Sequence, residues 1–169
     1  MRDLILIAHN VRSSHNVGSL LRTADGLGVQ HVYLTGYTPY PLAPKDSRLP
    51  HLAQKISRQI HKTALGAEDS LSWQHQDEIE PLLKELRAQG YLIGALEQTE
   101  GSISLPDFKP PAKLVIIVGR EVEGIEADIL KLVDLCLELP MLGSKESFNV
   151  VQAAAMALYH CRYPLTTNQ

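Results

Sequence analysis

The sequence predicts an α/β domain with a mostly parallel sheet. Short apolar runs, such as residues 4–8 and 114–118, alternate along the chain with segments whose apolar residues keep helical spacing. The length of 169 residues and the hydrophobic content of 44% suit a single globular core. Because no internal repeat or linker divides the chain, we expect one domain over residues 1–169.

Each expected element follows from a local pattern. Strands are expected at the short apolar runs 4–8, 32–34, 71–75, 91–96, 114–118 and 135–139. One helix is expected to begin at about Asn16, a good N-cap residue, and to end at Gly28. Further helices are expected at 52–60, 79–88, 125–133 and 150–159. The segments 37–50, with four prolines, and 101–111 are expected to be loops.

The last predicted helix is unusually apolar. Gln152 is the only polar residue among residues 150–159, so every side of the helix should be covered. One side can pack on the sheet, and the other can meet a second copy of the chain, since several alanines there permit close approach. The alternative is a helix that is central within one chain.

The charge distribution is uneven. The net charge of −3 gives no overall attraction to nucleic acid. Between residues 45 and 62, however, the chain carries a set of cations against Asp46 alone: Lys45, Arg48, Lys55, Arg58 and Lys62. This basic segment is a docking patch for a polyanion or simply a solvated helix face, and charge alone does not decide between them.

Histidine and cysteine spacing predicts no metal site. The seven histidines form no metal-binding cluster, and Cys136 and Cys161 are best explained as buried thiols in a reducing compartment. No apolar run is long enough to span a bilayer, and no signal-peptide core forms near Met1. We therefore expect a soluble, cytoplasmic protein.

Three loops after predicted strands combine glycine or proline with polar side chains, at 97–101, 119–124 and 140–149. Ligands of parallel sheets bind at such strand ends. The spacing of Gly119 and Gly124 resembles the start of a phosphate-binding loop, but Ile125 and Glu126 occupy the positions of the required lysine and hydroxyl residue. No dinucleotide-binding or serine-hydrolase motif is present.

Three segments carry a family resemblance: NVRSSHNVGSLLRTAD from Asn10, LVIIVGREVEGI from Leu114 and LPMLGSKESFNVVQAA from Leu139. In identity, order and spacing they resemble the three motifs of the SpoU (TrmH-type) branch of the SPOUT RNA methyltransferases. Each motif alone is moderate support, and the ordered set over nearly the whole chain is strong.

The resemblance implies a C-terminal trefoil knot, a homodimer with the active site at its interface, and S-adenosylmethionine as methyl donor. The acceptor is a ribose 2′-hydroxyl of tRNA or rRNA, with a slight preference for tRNA. The rival interpretation is an inactive RNA-binding or assembly protein of the same fold. The residues expected to bind the donor are Leu96, Glu97, Gly119, Leu139, Met141, Ser147 and Asn149.

The resemblance also implies catalytic roles for Arg22, Asn16, Glu121, Ser147 and Asn149. Arg22 is either the base that activates the hydroxyl or a cation that stabilises the alkoxide and anchors a phosphate. Glu121 is expected to orient Arg22 or the ribose. The simpler alternatives are an exposed helix arginine, a solvated loop acid and, for the other three, helix capping. Arg12 and the basic segment are expected to bind RNA.

Overall fold

In the computed structural model, which describes residues 1–163, seven strands form one sheet. They are β1 Asp3–His9, β2 His31–Thr35, β3 Trp73–Gln76, β4 Leu92–Leu96, β5 Ile103–Ser104, β6 Lys113–Val118 and β7 Leu135–Glu138. Their order is β3-β2-β1-β6-β4-β7-β5, and each neighbouring pair runs parallel. The predicted α/β class with a parallel sheet is confirmed.

Helices cover both faces of this sheet. They are α1 Ser14–Gly26, α2 Pro50–Ala64, α3 Ala67–Ser70, α4 Ile79–Ala88, α5 Ala127–Leu130 and α6 Val150–Arg162. On one face α1, α2, α3 and α6 pack around Leu114 and Ile116, and on the other α4 and α5 pack around Val115 and Ile117. Because β6 is buried on both faces, its sequence is apolar without alternation.

Helix α1 begins earlier than expected. The Ser13 side chain accepts a hydrogen bond from the Asn16 amide at 3.2 Å, so Ser13 is the N-cap and the prediction of Asn16 as the cap is wrong. Gly28 follows the C-cap Leu27 with φ of 63°, as expected for a helix stop. At Gly18 a Cβ would clash with the backbone of α2, so glycine lets the two helices approach closely.

Two other boundaries were wrong. The helix expected at 125–133 is reduced to the single turn of α5, because the Asp134 amide donates to the Ile93 carbonyl at 2.8 Å and draws the chain into β7. Residues 101–111, expected to be loop, contain the short strand β5 and a 3₁₀ turn at Leu105–Asp107.

Helix α6 is only partly covered within one chain. Ala154, Ala157, Leu158 and Cys161 are buried, whereas an outer stripe of Gln152, Met156 and Tyr159 is exposed. The Asn149 side chain caps the helix by accepting from the Val151 amide at 2.9 Å, so capping by Ser147 is wrong.

Among residues 1–163, no helix is both long and apolar enough to cross a membrane. The trefoil knot and the extent of the single domain over residues 1–169 stay predictions.

Candidate active site

A cavity of about 200 Å³ lies at the carboxyl ends of β4, β6 and β7. Loops after these strands form its walls, as expected for a parallel sheet. The structure brings six of the residues predicted to bind the donor to this cavity: Leu96, Glu97, Gly119, Leu139, Met141 and Ser147. The seventh, Asn149, is the cap of α6 and is not part of the cavity wall.

Glu97 holds two of these loops together. Its Oε2 accepts a hydrogen bond from the Ile125 amide at 2.9 Å. The turn between Arg120 and Gly124 closes on itself through two backbone hydrogen bonds, of 3.2 and 3.3 Å. Gly124 has φ of 70°, and a Cβ there would clash with the Glu97 carboxylate. Glu97 thus shapes the cavity wall through the turn it binds.

Glu121 clamps the second motif onto the first. One carboxylate oxygen accepts from the Ser13 amide at 3.0 Å and from Asn16 Nδ2 at 2.9 Å, and the other accepts from the Arg12 amide at 3.1 Å. Burial raises the pKa of Glu121, but the hydrogen bonds from Asn16 and the two amides together outweigh it and hold the pKa below its ordinary value. The carboxylate is therefore ionised while it holds the start of α1.

Arg22 lies away from the cavity within one chain. It is exposed on α1 and is not among the residues that line the cavity. It follows Asn16 by six residues, which places it about 9 Å further along the helix axis. The structure therefore brings Asn16 and Glu121 together but does not bring Arg22 to them.

The cavity is acidic. Five glutamates line it: Glu97, Glu121, Glu123, Glu138 and Glu146. Arg120 is the single lysine or arginine among the described residues of its wall. Apolar side chains, including Leu137 and Ala153, complete the lining. Such a surface favours a small cationic ligand with an apolar part and disfavours a polyphosphate.

A buried polar network beside the cavity was not predicted. His9, 6% exposed, pairs its Nδ1 with Thr35 Oγ1 at 2.8 Å, and Asn10 Nδ2 donates to Glu126 Oε1 at 2.8 Å. Glu126 Oε2 is buried, 3.4 Å from His9 Nε2, and has no hydrogen-bond partner among the described residues. Burial lowers the pKa of His9, Arg120 adds to the lowering and Glu126 opposes it. In the sequence, this network is indicated only by the two polar residues His9 and Asn10, which directly follow the apolar run 4–8.

The cations predicted to bind RNA fall into two groups. Arg48 is engaged internally, because its guanidinium donates to the Asp46 carboxylate and to the carbonyls of Tyr40 and Pro41. Arg12 pairs with Glu123 at 2.6 Å. The exposed cations of α2 lie along one side of the helix, with spacings of three and four residues, and we call them the α2 stripe: Lys55, Arg58 and Lys62.

Among residues 1–163, no group of three histidine, cysteine, aspartate or glutamate side chains could hold a metal ion. Burial raises the pKa of the Cys161 thiol to about 12, so this thiol is unreactive.

A family model, described as the SpoU rRNA Methylase family, matches residues 3–159. The chain belongs to this family. It is 30% identical over 157 residues to the 23S rRNA (guanosine-2'-O-)-methyltransferase RlmB of Ralstonia nicotianae, covering 92% of this chain and 57% of that protein. It is 26% identical over 164 residues to the tRNA (guanosine(18)-2'-O)-methyltransferase of Aquifex aeolicus, covering 95% of this chain and 69% of that protein.

Solved structures of other proteins share the fold. An AdoMet-bound rRNA methyltransferase from Sinorhizobium meliloti superimposes with a TM-score of 0.80 at 20% identity, covering 95% of this chain and 56% of that one. The chain thus spans less than three fifths of the length of several proteins that it resembles.

Proposed function

We propose that the protein transfers a methyl group from S-adenosylmethionine to a ribose 2′-hydroxyl of RNA. The observation that carries the proposal is the convergence of the three family motifs, with Glu121 of the second holding Asn16 of the first beside the acidic cavity. Two relatives named as guanosine 2′-O-methyltransferases of rRNA and tRNA support the same reaction.

The cavity suits the proposed donor. S-adenosylmethionine supplies an electrophilic methyl group on a positively charged sulfur, and the acidic lining complements that charge. Leu96, Leu139 and Met141 would border the apolar part of the donor, and backbone groups near Gly119 would bind its polar parts. Ser147 lies in the same wall.

The chain must align the hydroxyl and handle its proton. In the transfer a bond forms between the 2′ oxygen and the methyl carbon, the carbon–sulfur bond breaks to release S-adenosylhomocysteine, and the hydroxyl proton passes to solvent water. A cation near the 2′ oxygen stabilises the developing alkoxide, and we assign this role to Arg22. Glu121 and Asn16 position the start of α1, which carries that arginine.

We propose that a homodimer completes the site. Arg22 is exposed and outside the cavity of its own chain. Helix α6, which packs against α1, exposes Met156 and Tyr159, and Leu142 and Phe148 are exposed on the neighbouring loop. A second copy docked on this surface would bury apolar residues and add side chains to the cavity mouth.

The α2 stripe is the proposed contact for the RNA backbone, and Arg12 and Lys45, which are also exposed, are proposed as further contacts. Arg48 is not proposed to contact RNA, because its guanidinium is engaged by Asp46 and Tyr40. Its role is to hold the loop that carries Lys45. The relatives include both rRNA and tRNA enzymes, so the RNA class is proposed no further than tRNA or rRNA. We also propose a cytoplasmic location and a reaction without metal.

Calorimetric titration with S-adenosylmethionine tests the proposal. We expect saturable binding near one donor per chain, and weaker binding in Gly119→Val, whose side chain would collide with the 124–125 backbone. The control is Lys84→Ala on α4, which should bind as the wild type does. A folded protein that binds no donor, with or without RNA, would favour the inactive RNA-binding alternative.

A further inference from the structure

A second cavity, of about 570 Å³, lies at the other end of the sheet. Loop 40–47 forms one wall, and residues 71–75, which include most of β3, form the other. Since β3 is an edge strand, this cavity is open along the side of the sheet, and we call it the edge groove. It shares no residue with the acidic cavity.

The loop wall of the edge groove is held in one shape. The Asp46 carboxylate accepts from the Arg48 amide at 3.0 Å and from Arg48 Nε at 2.9 Å. The Arg48 guanidinium lies 3.5 Å from the centre of the Tyr40 ring, and that ring stacks with His75 of β3 at 4.0 Å. Loop and strand are thus joined, and a ligand would find the groove already formed.

The charge of the edge groove suits an anion. The Asp46 carboxylate stays ionised, because hydrogen bonds from Arg48 hold its pKa well below its ordinary range, and the Arg48 guanidinium paired with it balances its charge. Lys45 is exposed at φ of 59° and carries the remaining fixed charge of the lining. The Leu42 amide donates to Ser57 Oγ of α2 at 3.2 Å, so the loop rests on the helix that bears the α2 stripe.

The floor of the edge groove suits a planar ring. Trp73 is half-buried, and its Nε1 donates to the Glu68 carbonyl at 2.9 Å, which fixes the indole. Exposed polar residues line the same groove: Ser47, Ser72 and Gln74. An aromatic surface, hydrogen-bonding groups and a lysine are the components by which proteins bind an unpaired nucleotide.

We propose that the edge groove holds an unpaired nucleotide of the RNA substrate, with the base against Trp73 and a phosphate beside Lys45. This proposal rests on the proposed function. The order of strands puts β3 three positions from β6, or about 14 Å at roughly 4.8 Å per strand. The nucleotide bound here is therefore a neighbour of the methylated one, and the groove contributes to the choice of RNA.

Tryptophan fluorescence tests the proposal directly, because Trp73 is the only tryptophan of the chain. We expect single-stranded tetranucleotides, such as tetrauridylate and tetraadenylate, to change the emission of the full chain in a saturable way. Lys45→Glu should weaken this binding at least about fivefold, since it reverses a phosphate contact. Lys84→Glu is the matched control, because Lys84 is exposed on the opposite face of the sheet, and it should have no effect.

A second measurement isolates the stack. In anisotropy titrations with a labelled tetranucleotide, Trp73→Ala should weaken binding roughly tenfold, and Trp73→Phe, which keeps an aromatic ring, should recover most of it. Unchanged emission together with wild-type affinity in Lys45→Glu would overturn the proposal and leave the β3 edge free for another partner, such as a protein strand.

The outcomes separate this proposal from the proposed function. Lys45→Glu should bind S-adenosylmethionine as the wild type does, because Lys45 is outside the acidic cavity. Donor binding and RNA methylation that are unaffected by both groove variants would refute the groove alone. If the wild-type chain bound no S-adenosylmethionine but did bind the tetranucleotide in the groove, the methyl-transfer proposal would be refuted and the groove would be supported as an RNA site.

Discussion

The two ends of the sheet carry opposite charge and are stabilised by different means. At the β4–β6–β7 end, glutamates surround a small cavity. Glu97 and Glu121 hold its loops, because each accepts hydrogen bonds from backbone amides of a distant segment. At the β2–β3 end, Arg48 holds a single loop through local contacts, and the free cations lie outside on α2. The difference matches the opposite charges of the two proposed ligands, a cationic methyl donor and a polyanionic RNA.

The largest effect is expected at Arg22, which belongs to neither end within one chain. Arg22→Ala should lower the rate of methyl transfer by at least about 100-fold, as for loss of a group that stabilises a developing oxyanion. Donor affinity by calorimetry should stay within about twofold of the wild type, because Arg22 does not line the cavity. The control is Lys84→Ala, at an exposed position of α4 outside both the cavity and the α2 stripe. Equal transfer rates in Arg22→Ala and the wild type would remove Arg22 from the catalytic site.

The next effect is expected at Glu121, whose carboxylate links the second motif to the start of α1. Glu121→Gln replaces one acceptor oxygen by a donor that would face backbone amides, so the link between Asn16 and the second motif should break. We expect a loss of unfolding free energy of about 1–3 kcal/mol, measured with denaturant. We also expect transfer to fall more than tenfold, since a misplacement of about 1 Å can cost about 100-fold in rate.

Glu123→Gln is the matched control for this variant. Glu123 is exposed and pairs only with the Arg12 side chain among the described residues. Its loss should leave the unfolding free energy nearly unchanged, because an exposed ion pair contributes little to stability. If Glu121→Gln and Glu123→Gln had equal stability and equal activity, Glu121 would not be the residue that holds the start of α1.

A smaller effect is expected at the basic end. Reversing Lys55 and Arg58 to glutamate should weaken RNA binding roughly tenfold at low salt, because each reversal removes a phosphate contact. The dependence of log K on log salt should become shallower by about 1.4–1.8, the value for two lost contacts. Donor affinity should not change. RNA affinity equal to that of the wild type at every salt concentration would move the docking surface away from α2.

The smallest effect is a pH dependence of stability set by His9. Its pKa is lowered in the folded protein, so the unfolded chain binds a proton first as the pH falls below about 6.5. The contribution of His9 to the unfolding free energy should therefore be constant above that pH and should fall below it, by at most about 1.4 kcal/mol per pH unit, until His9 itself is protonated in the folded protein. Denaturant titrations of wild type and His9→Gln between pH 7.5 and 5 should show a difference that shrinks on acidification. His51→Gln, at an exposed position, should show no such trend.

The elements that could be predicted are those governed by local patterns. Helix α4 has the bounds that its amphipathic spacing and Gly90 indicate, and β6 is apolar because both of its faces are buried. The walls of the acidic cavity follow from the rule that loops at the carboxyl ends of parallel strands meet. These features depend on residues close together in the chain, or on a rule of topology.

The features that could not be predicted depend on distant partners. Ser13 and Asn16 are equally good caps by type, and the choice is made by Glu121, 105 residues away, which takes the Asn16 side chain. The His9 network needs Glu126, and the engagement of Arg48 by Asp46 and Tyr40 needs the path of loop 40–47. By charge alone, Arg48 and Lys55 are equally good candidates for exposed cations. Only the structure shows that Arg48 is engaged internally whereas Lys55 is exposed.

Methyl transfer to a ribose oxygen can be distinguished from transfer to a base by alkaline cleavage of the RNA product. The full chain would be incubated with methyl-labelled S-adenosylmethionine and total RNA, and the labelled RNA would then be treated with alkali. A methylated 2′ oxygen cannot take part in strand cleavage, so we expect label in alkali-resistant dinucleotides and almost none with Arg22→Ala. Label released entirely as mononucleotides would place the methyl group on a base and refute ribose methylation.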